Sequence, residues 1–266
     1  MIMTALSTAQ AIVRRDLSRA FRQRGRLVGG LARSFMWLLL VAAGYSTIAR
    51  VEGAASYQAF AFPGIVVMAA LFGAMLTAIS TVYDREFGML RLMLASPAGV
   101  TVVLAGRAVA AATIGFLHGA IVLASAPLVM SVTIGQIELA GAVLVATATA
   151  SSVLGLLVAA PLRSVENFAA VVNVVLFPLL FLSGALYPTL HMPDWLRVAA
   201  GLNPVTYAVD LMRGALGQPM EFSVSSSAAA LGVAIVLAFT LAALLFDPER
   251  RFTWLGRDAA RQMRAR

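Results

Sequence analysis

The chain has 266 residues, 61% of them hydrophobic and 12% charged, and its apolar residues gather in long uninterrupted runs unlike the short alternations of a soluble core. It contains no cysteine and no lysine, so all 20 cationic residues are arginine, and its net charge is +8. These absences exclude a Walker A phosphate loop and Schiff-base chemistry, which need a lysine amine, as well as thiolate metal ligands, disulfides and thiol nucleophiles.

From the amino terminus, residues 5–28 place Leu6, Ala9, Val13, Leu17, Ala20, Phe21 and Val28 at helical spacing, with Arg14, Arg15, Arg19, Arg22 and Arg26 over the remaining surface. The pattern predicts an amphipathic cytoplasmic helix within residues 1–30 that lies along the inner leaflet, because a solvated basic arm keeps no apolar stripe. Residues 31–247 follow as the membrane domain. Runs without Asp, Glu, Lys or Arg cover 34–49, 53–83, 108–137, 139–162, 167–193 and 222–246, and a spanning helix needs roughly 20 apolar residues. The predicted fold class is all-α, a polytopic membrane protein with six transmembrane helices. The first run is the shortest, and Arg33 and Arg50 flank it so that they can snorkel to the two headgroup layers. It does not read as a cleavable signal peptide, whose apolar region is shorter and nearer the start.

Between the second and third runs lies "DREFGMLRLMLASPAG", residues 84–99, too short to cross a bilayer and too apolar for an ordinary loop. Phe87, Leu90, Met93 and Leu94 can make an apolar ridge, ringed by Asp84, Arg85, Glu86 and Arg91, and "SPAG" ends the helix. An interfacial turn is the simpler alternative. Spans two to four are rich in small residues, as in "GAMLTAIST" (73–81) and "ATATASSVLG" (146–155), which let helix backbones approach closely in lipid. The two histidines, His118 and His191, are far apart in sequence and form no metal spacing, so His118 is expected to be packed or hydrogen-bonded within its span. No catalytic constellation and no metal site emerge. Few ionisable groups stand inside the spans, which disfavours a proton relay.

Residues 188–218 are the second unusual stretch. Pro188 and Pro193 break the fifth helix, and Asn203 followed by Pro204 signals the cap and first turn of a new one. Val205, Val209, Met212 and Leu216 then form an apolar face, with Asp210 and Arg213 spaced to pair at i, i+3. A helical hairpin re-entering the outer leaflet is expected, the alternative being an exposed loop with a surface ion pair. Residues 248–266 read as a basic cytoplasmic tail.

The arginines set the orientation. The amino-terminal segment, the regions around Arg85, Arg91, Arg107 and Arg163, and the carboxy-terminal tail share one face, while the other holds only Arg50, Arg197 and Arg213. That bias places both termini and residues 84–99 in the cytoplasm. Arginines so close to membrane spans suit anionic lipid; a nucleic-acid partner would need interleaved base-stacking aromatics.

Four pieces in order, "YDREFGMLRLMLASPAG" (83–99), "FPLLFLSGALYP" (177–188), "MPDWL" (192–196) and "NPVTYAVDLMRGAL" (203–216), resemble the membrane subunit of an ATP-binding-cassette (ABC) transporter of the type-2 permease family, the branch of drug, polysaccharide and lipid exporters. The resemblance implies that 84–99 is a coupling helix docking in a groove of a separate ATPase subunit through Asp84, Arg85, Glu86, Phe87, Met89, Leu90, Arg91, Met93 and Leu94. It implies a second permease copy, identical or related, with Asn167, Asn173, Phe177, Phe181, Tyr187 and Tyr207 lining a substrate pathway near the dimer interface. The chain itself would need no cofactor and perform no catalysis, ATP and Mg residing on the partner. Two rivals stay open from sequence: a gradient-driven carrier or channel, and a membrane-embedded enzyme.

Overall fold

The computed structural model describes residues 2–46, 56–94 and 98–246, and among them every regular element is helical. Helix α1 (Ile2–Arg22) ends at Gln23, where the backbone leaves the helical region, and α2 (Arg24–Tyr45) starts at once. The amphipathic helix therefore stops short of the expected residue 28, and the first span begins at Arg24 where 34 was expected. Arg33 lies inside that span, not at its edge. Residue Arg50 and the tail 248–266 fall outside the described residues.

Helix α3 (Tyr57–Glu86) is the axis of the molecule: 89% of its most apolar stretch is buried by other helices. It is about 45 Å long at 1.5 Å per residue, so both ends reach past a hydrocarbon core of about 30 Å. Against it pack α5 (Gly99–Val129) and α6 (Ile134–Ala159), and the apolar α10 (Val224–Phe246) leans on α6. The short α4 (Met89–Leu94) projects between α3 and α5, after a turn in which Gly88 takes a left-handed φ of 79°. The expected single coupling helix over 84–99 is thus divided. Residues 84–86 complete α3, only 89–94 form the separate helix, and 95–97 lie outside the described residues.

Among the described residues, five helices have the length and apolarity to cross a membrane. The sixth expected span, 167–193, contains the shorter helix α7 (Val165–Phe181), 17 residues or about 26 Å long. Pro178 lies in its last turn, and Gly184 at φ 75° redirects the chain before a second membrane width is covered. A 3₁₀ turn (Thr189–His191) leads to α8 (Asp194–Leu202) and α9 (Pro204–Ala215), the two arms of the expected hairpin. Asn203 caps α9 as its sequence signals: its side chain accepts from Val205 N at 3.0 Å and donates to the Leu179 carbonyl at 2.7 Å. Val205, Val209, Met212 and Leu216 are all buried.

The small residues set the interhelical spacing. A Cβ added at Gly115 would come within 2.7 Å of the Ala70 carbonyl oxygen, so α5 lies directly against the backbone of α3, and Gly155 brings α6 onto Ala78 in the same way. His118 fills the space beside Gly30 and Gly73. Its ring nitrogens lie 2.9 Å from the Ile114 carbonyl and 3.1 Å from that of Leu27, which ties α5 to α2. Gly115→Val should push α5 off α3 and lower stability by about 1–3 kcal/mol. Gly141→Ala, at a position with open space around it, should be neutral in the same thermal unfolding series in detergent.

Candidate functional site

At the C-terminal end of α3 the tripeptide Asp84-Arg85-Glu86 joins the ends of the surrounding helices. Asp84 is 1% exposed. It accepts from Arg15 Nη2 at 2.5 Å and Arg19 Nη1 at 2.9 Å, both on α1, and from Arg107 Nη2 on α5 at 2.5 Å. Arg107 is equally buried. Its Nη1 donates to Thr81 Oγ1 at 3.1 Å and lies 3.8 Å from Asp16, while its Nη2 lies 3.2 Å from the Met93 sulfur of α4. Burial pulls the Arg15 guanidinium down, but Asp16 and Asp84 more than offset this and raise it above its ordinary value, so that arm of the cluster stays charged at any physiological pH.

Arg85 and Glu86 hold the ends of three further helices. Arg85 Nη1 donates to the carbonyls of Ala159, Ala160 and Leu162, at 3.3, 2.5 and 2.7 Å, closing the C-terminus of α6, and the guanidinium stacks 4.6 Å from the Phe246 ring at the end of α10. Glu86 accepts from the N–H of Val165, the first residue of α7, at 2.9 Å, where a carboxylate also complements the helix dipole.

The expected apolar ridge is rearranged. Leu90 is 3% exposed and Met93 turns toward Arg107, so neither is available to a partner. Phe87, at 64%, Leu92, at 71%, and Met89 are the exposed apolar side chains of this turn, with Arg91 beside them. The helix break at Gly88 changes the register. A continuous helix would place Phe87 and Leu90 on one face, whereas the turn sends Leu90 inward and Leu92 outward. Leu92 was not anticipated, and Leu94 is half-buried.

Among the six expected pathway residues, Asn173, Phe177 and Phe181 of α7 line one cavity with Arg33, Met36 and Trp37 of α2 and Ile65, Met68 and Phe72 of α3. The cavity has a volume of about 270 Å³ and is partly open. Phe177 and Phe181 lie one turn apart with ring centroids at 6.2 Å. Beside them α2 winds as a π-helix over Trp37–Ala42, an irregularity common at functional sites. The other three lie elsewhere. Asn167 is in the first turn of α7, where Ser164 accepts from its N–H, and Tyr187 follows α7 in the bend before Pro188. Tyr207 donates to the Gly201 carbonyl and packs on Phe222 in the hairpin.

Asp210 and Arg213, spaced to pair with each other, instead take other partners. Both side chains are buried: Asp210 is bound by the segment that follows α9, and Arg213 by that segment and by residues before α9. Asp210 accepts from Glu221 N at 2.7 Å and Ser227 Oγ at 2.8 Å. Arg213 donates to the Gly184 carbonyl at 2.5 Å, lies 3.5 Å from Glu221 and sits over the Phe60 ring at 4.3 Å. Glu221 also accepts from Thr189, and Gln218 donates to the Ala59 carbonyl at 2.7 Å, so the hairpin is locked to the far end of α3.

Asp84→Ala would leave Arg107 buried beside a weak, distant carboxylate, and a broken buried pair costs about 3–5 kcal/mol. Thermal unfolding in detergent should show that loss. The Asp84→Ala, Arg107→Met double variant should recover part of it, because no stranded charge remains.

The profile of the ABC-2 type transporter family matches residues 8–216, a stretch running from α1 to just past α9. Relatives include a candidate transport permease, ycf38, of Porphyra purpurea, 29% identical over 77% of this chain and 72% of its own length. Nodulation protein J of Rhizobium leguminosarum bv. trifolii is 30% identical over 82% of this chain and 84% of its own length. A candidate multidrug ABC transporter permease, YbhR, of Escherichia coli K12 is 27% identical over 59% of this chain and 43% of its own. On the family match and with its apolar helices, the chain belongs to the ABC-2 type transporter family, as a multi-pass membrane permease subunit that works with an ATP-binding subunit.

Proposed function

We propose that this chain is the permease half of an ATP-driven exporter. It would work as a dimer of two copies, identical or related, with two cytoplasmic ATPase subunits that carry the ATP and Mg, and would move a lipophilic or amphipathic substrate out of the cytoplasm or the inner leaflet. On this reading α7 completes a six-span topology, assisted by local thinning of the bilayer around a 26 Å helix, both termini are cytoplasmic, and the chain resides in a bacterial cytoplasmic membrane. The arginine bias supports that orientation.

The observation that carries the proposal is the position of α4. Its exposed face, Phe87, Met89, Arg91 and Leu92, is an apolar knob with a cation, suited to a groove on a partner. Its inner side carries the buried Leu90, and Met93 contacts Arg107 of the Asp84 cluster. A displacement of α4 by an ATPase would therefore act on α1 and α5 through Asp84, and on α6, α10 and α7 through Arg85 and Glu86. Asp84, Arg85 and Glu86 transmit motion in this account; the ring of polar contacts expected around the docking ridge is reduced to Arg91.

Phe87→Ala combined with Leu92→Asp should weaken ATPase pull-down by about tenfold or more, as loss of exposed anchors does in other interfaces, without lowering the permease's unfolding temperature. Leu90→Ala should do the reverse. Unchanged partner binding in the first variant would reduce α4 to an interfacial turn. Topology has its own check, made simple by a chain without cysteine. Asp194→Cys, at a fully solvated position, should react with an impermeant thiol reagent in intact cells, and Leu92→Cys should be protected until the membrane is opened.

A further inference from the structure

Arg33 stands in an unusual place. Its guanidinium lies 4.5 Å from the ring of Phe72, the middle of α3, about 20 Å from either end of that helix. The side chain is exposed on the cavity that Trp37, Phe177, Phe181 and Asn173 line. No carboxylate lies within ion-pair distance of it among the described residues. An uncompensated cation at that depth is costly in lipid, so an intramembrane arginine of this kind marks a place where something of opposite charge is held. Cation–π contact with Phe72 orients the guanidinium without neutralising it.

A second arginine follows the same seam. Arg26, about two turns toward the cytoplasm on α2, lines a smaller pocket with Arg19 of α1, Gln23, Tyr83 and Val165, where α2, α3 and α7 again come together. It too is exposed and without an ion pair among the described residues, whereas its neighbour Arg19 is held by Asp84. Cations at the cytoplasmic level and again halfway up, with aromatic walls above the second, match one kind of molecule: a negatively charged head on an apolar tail.

We infer that the groove between α2, α3 and α7 selects an anionic, phosphate-headed amphiphile from the inner leaflet, its head passing from Arg26 to a bidentate contact with Arg33 and its tail lying against Trp37, Phe177 and Phe181. This deepens the export reading by naming the substrate class of the same cavity, and rests on it. A guanidinium suits the role because its planar donors match two phosphate oxygens and it stays charged in an apolar setting. Asn173, whose side-chain N–H₂ donates to the Ala169 carbonyl at 3.1 Å, turns its remaining polar capacity toward the same space and tolerates a hydroxylated head.

Trp37 reports on the site directly. With Trp195→Phe and Trp254→Phe, it becomes the only tryptophan of the chain. The full-length permease is reconstituted in vesicles containing a small fraction of lipid with brominated tails, which quench indole fluorescence on contact. Brominated phosphatidic acid should quench Trp37 more strongly than brominated phosphatidylcholine, with an enrichment on the order of fivefold, equivalent to ~1 kcal/mol. Arg33→Gln should abolish the preference, Arg33→Lys should keep part of it, and Arg33→Glu should transfer it to a trimethylammonium lipid with the same tails. Circular dichroism and unfolding temperature check that each variant is folded. Equal quenching by the two headgroups in the parent chain, or a preference unaltered by Arg33→Glu, overturns the inference. So does a Phe177→Cys variant that forms a disulfide dimer with Trp37 shielded from every lipid, since the cavity is then filled by a second copy. Because no ATPase is present, the result is independent of whether the complex exports: preference without ATP-dependent transport would sink the exporter reading and leave the site, and transport without preference would do the opposite.

Discussion

A carboxylate buried at the end of the central helix is the constraint on which the rest of this molecule depends. Asp84 is taken out of water and surrounded by Arg15, Arg19 and Arg107, and at that depth the arrangement is stable only when every charge keeps its partner. The amino-terminal helix therefore cannot leave α3 without stranding Asp84 and Asp16, and α5 cannot slide without stranding Arg107. The two residues that follow extend the same logic by hydrogen bonds to helix ends. Arg85 closes α6 with three carbonyls and Glu86 opens α7 with one N–H, so five helices and the short α4 share one anchor at the C-terminal end of α3.

The opposite end of α3 carries a second polar knot built on different partners. Arg213, Asp210, Glu221 and Thr189 fasten the hairpin to its own return segment, while Gln218 and Tyr57 join that assembly to the backbone and hydroxyl of α3, Tyr57 donating to the Leu186 carbonyl at 2.7 Å. Between the knots the contacts are apolar and set by glycine and alanine, which resist separation only through close packing. The cavity with Arg33 opens where α2 and α7 meet α3. A molecule held firmly at both ends and loosely along one seam can open that seam while its ends stay assembled, which is the mechanical requirement for letting an amphiphile in from the side.

Much of this was legible in the sequence, and the failures have physical causes. Long charge-free runs gave the membrane class, small-residue stretches gave the tight contacts at Gly115 and Gly155, and Asn203-Pro204 gave the cap of α9. The direction in which Asp84 points was not legible, because a residue at the end of an apolar run can face water or a neighbouring helix with equal spacing. A signal was present all the same: Arg107 is the one arginine within Gly99–Leu123, and a lone cation among apolar residues needs a buried carboxylate. Arg33 was placed at a membrane edge by counting charge-free residues, yet a span tolerates an arginine when a cavity receives it. The Asp210–Arg213 pair failed because i, i+3 spacing permits contact without deciding it, and the segment from Gln218 to Ser227 competes for both side chains.

The central claim is that α4 and the helices anchored at Asp84 move as one body when an ATPase pushes on them. Spin labels on Leu6→Cys and Leu92→Cys, both exposed positions of a chain with no native cysteine, report the distance from α1 to α4 by pulsed electron paramagnetic resonance in the lipid-reconstituted permease–ATPase complex. Trapping the ATPase with nucleotide should leave that distance unchanged while the distance from Leu92→Cys to a label at Leu40→Cys, an exposed position of α2 across the seam, shifts, and Asp84→Asn should make the first distance broad and nucleotide-sensitive. A first distance that changes with nucleotide in the otherwise unaltered protein would contradict the account.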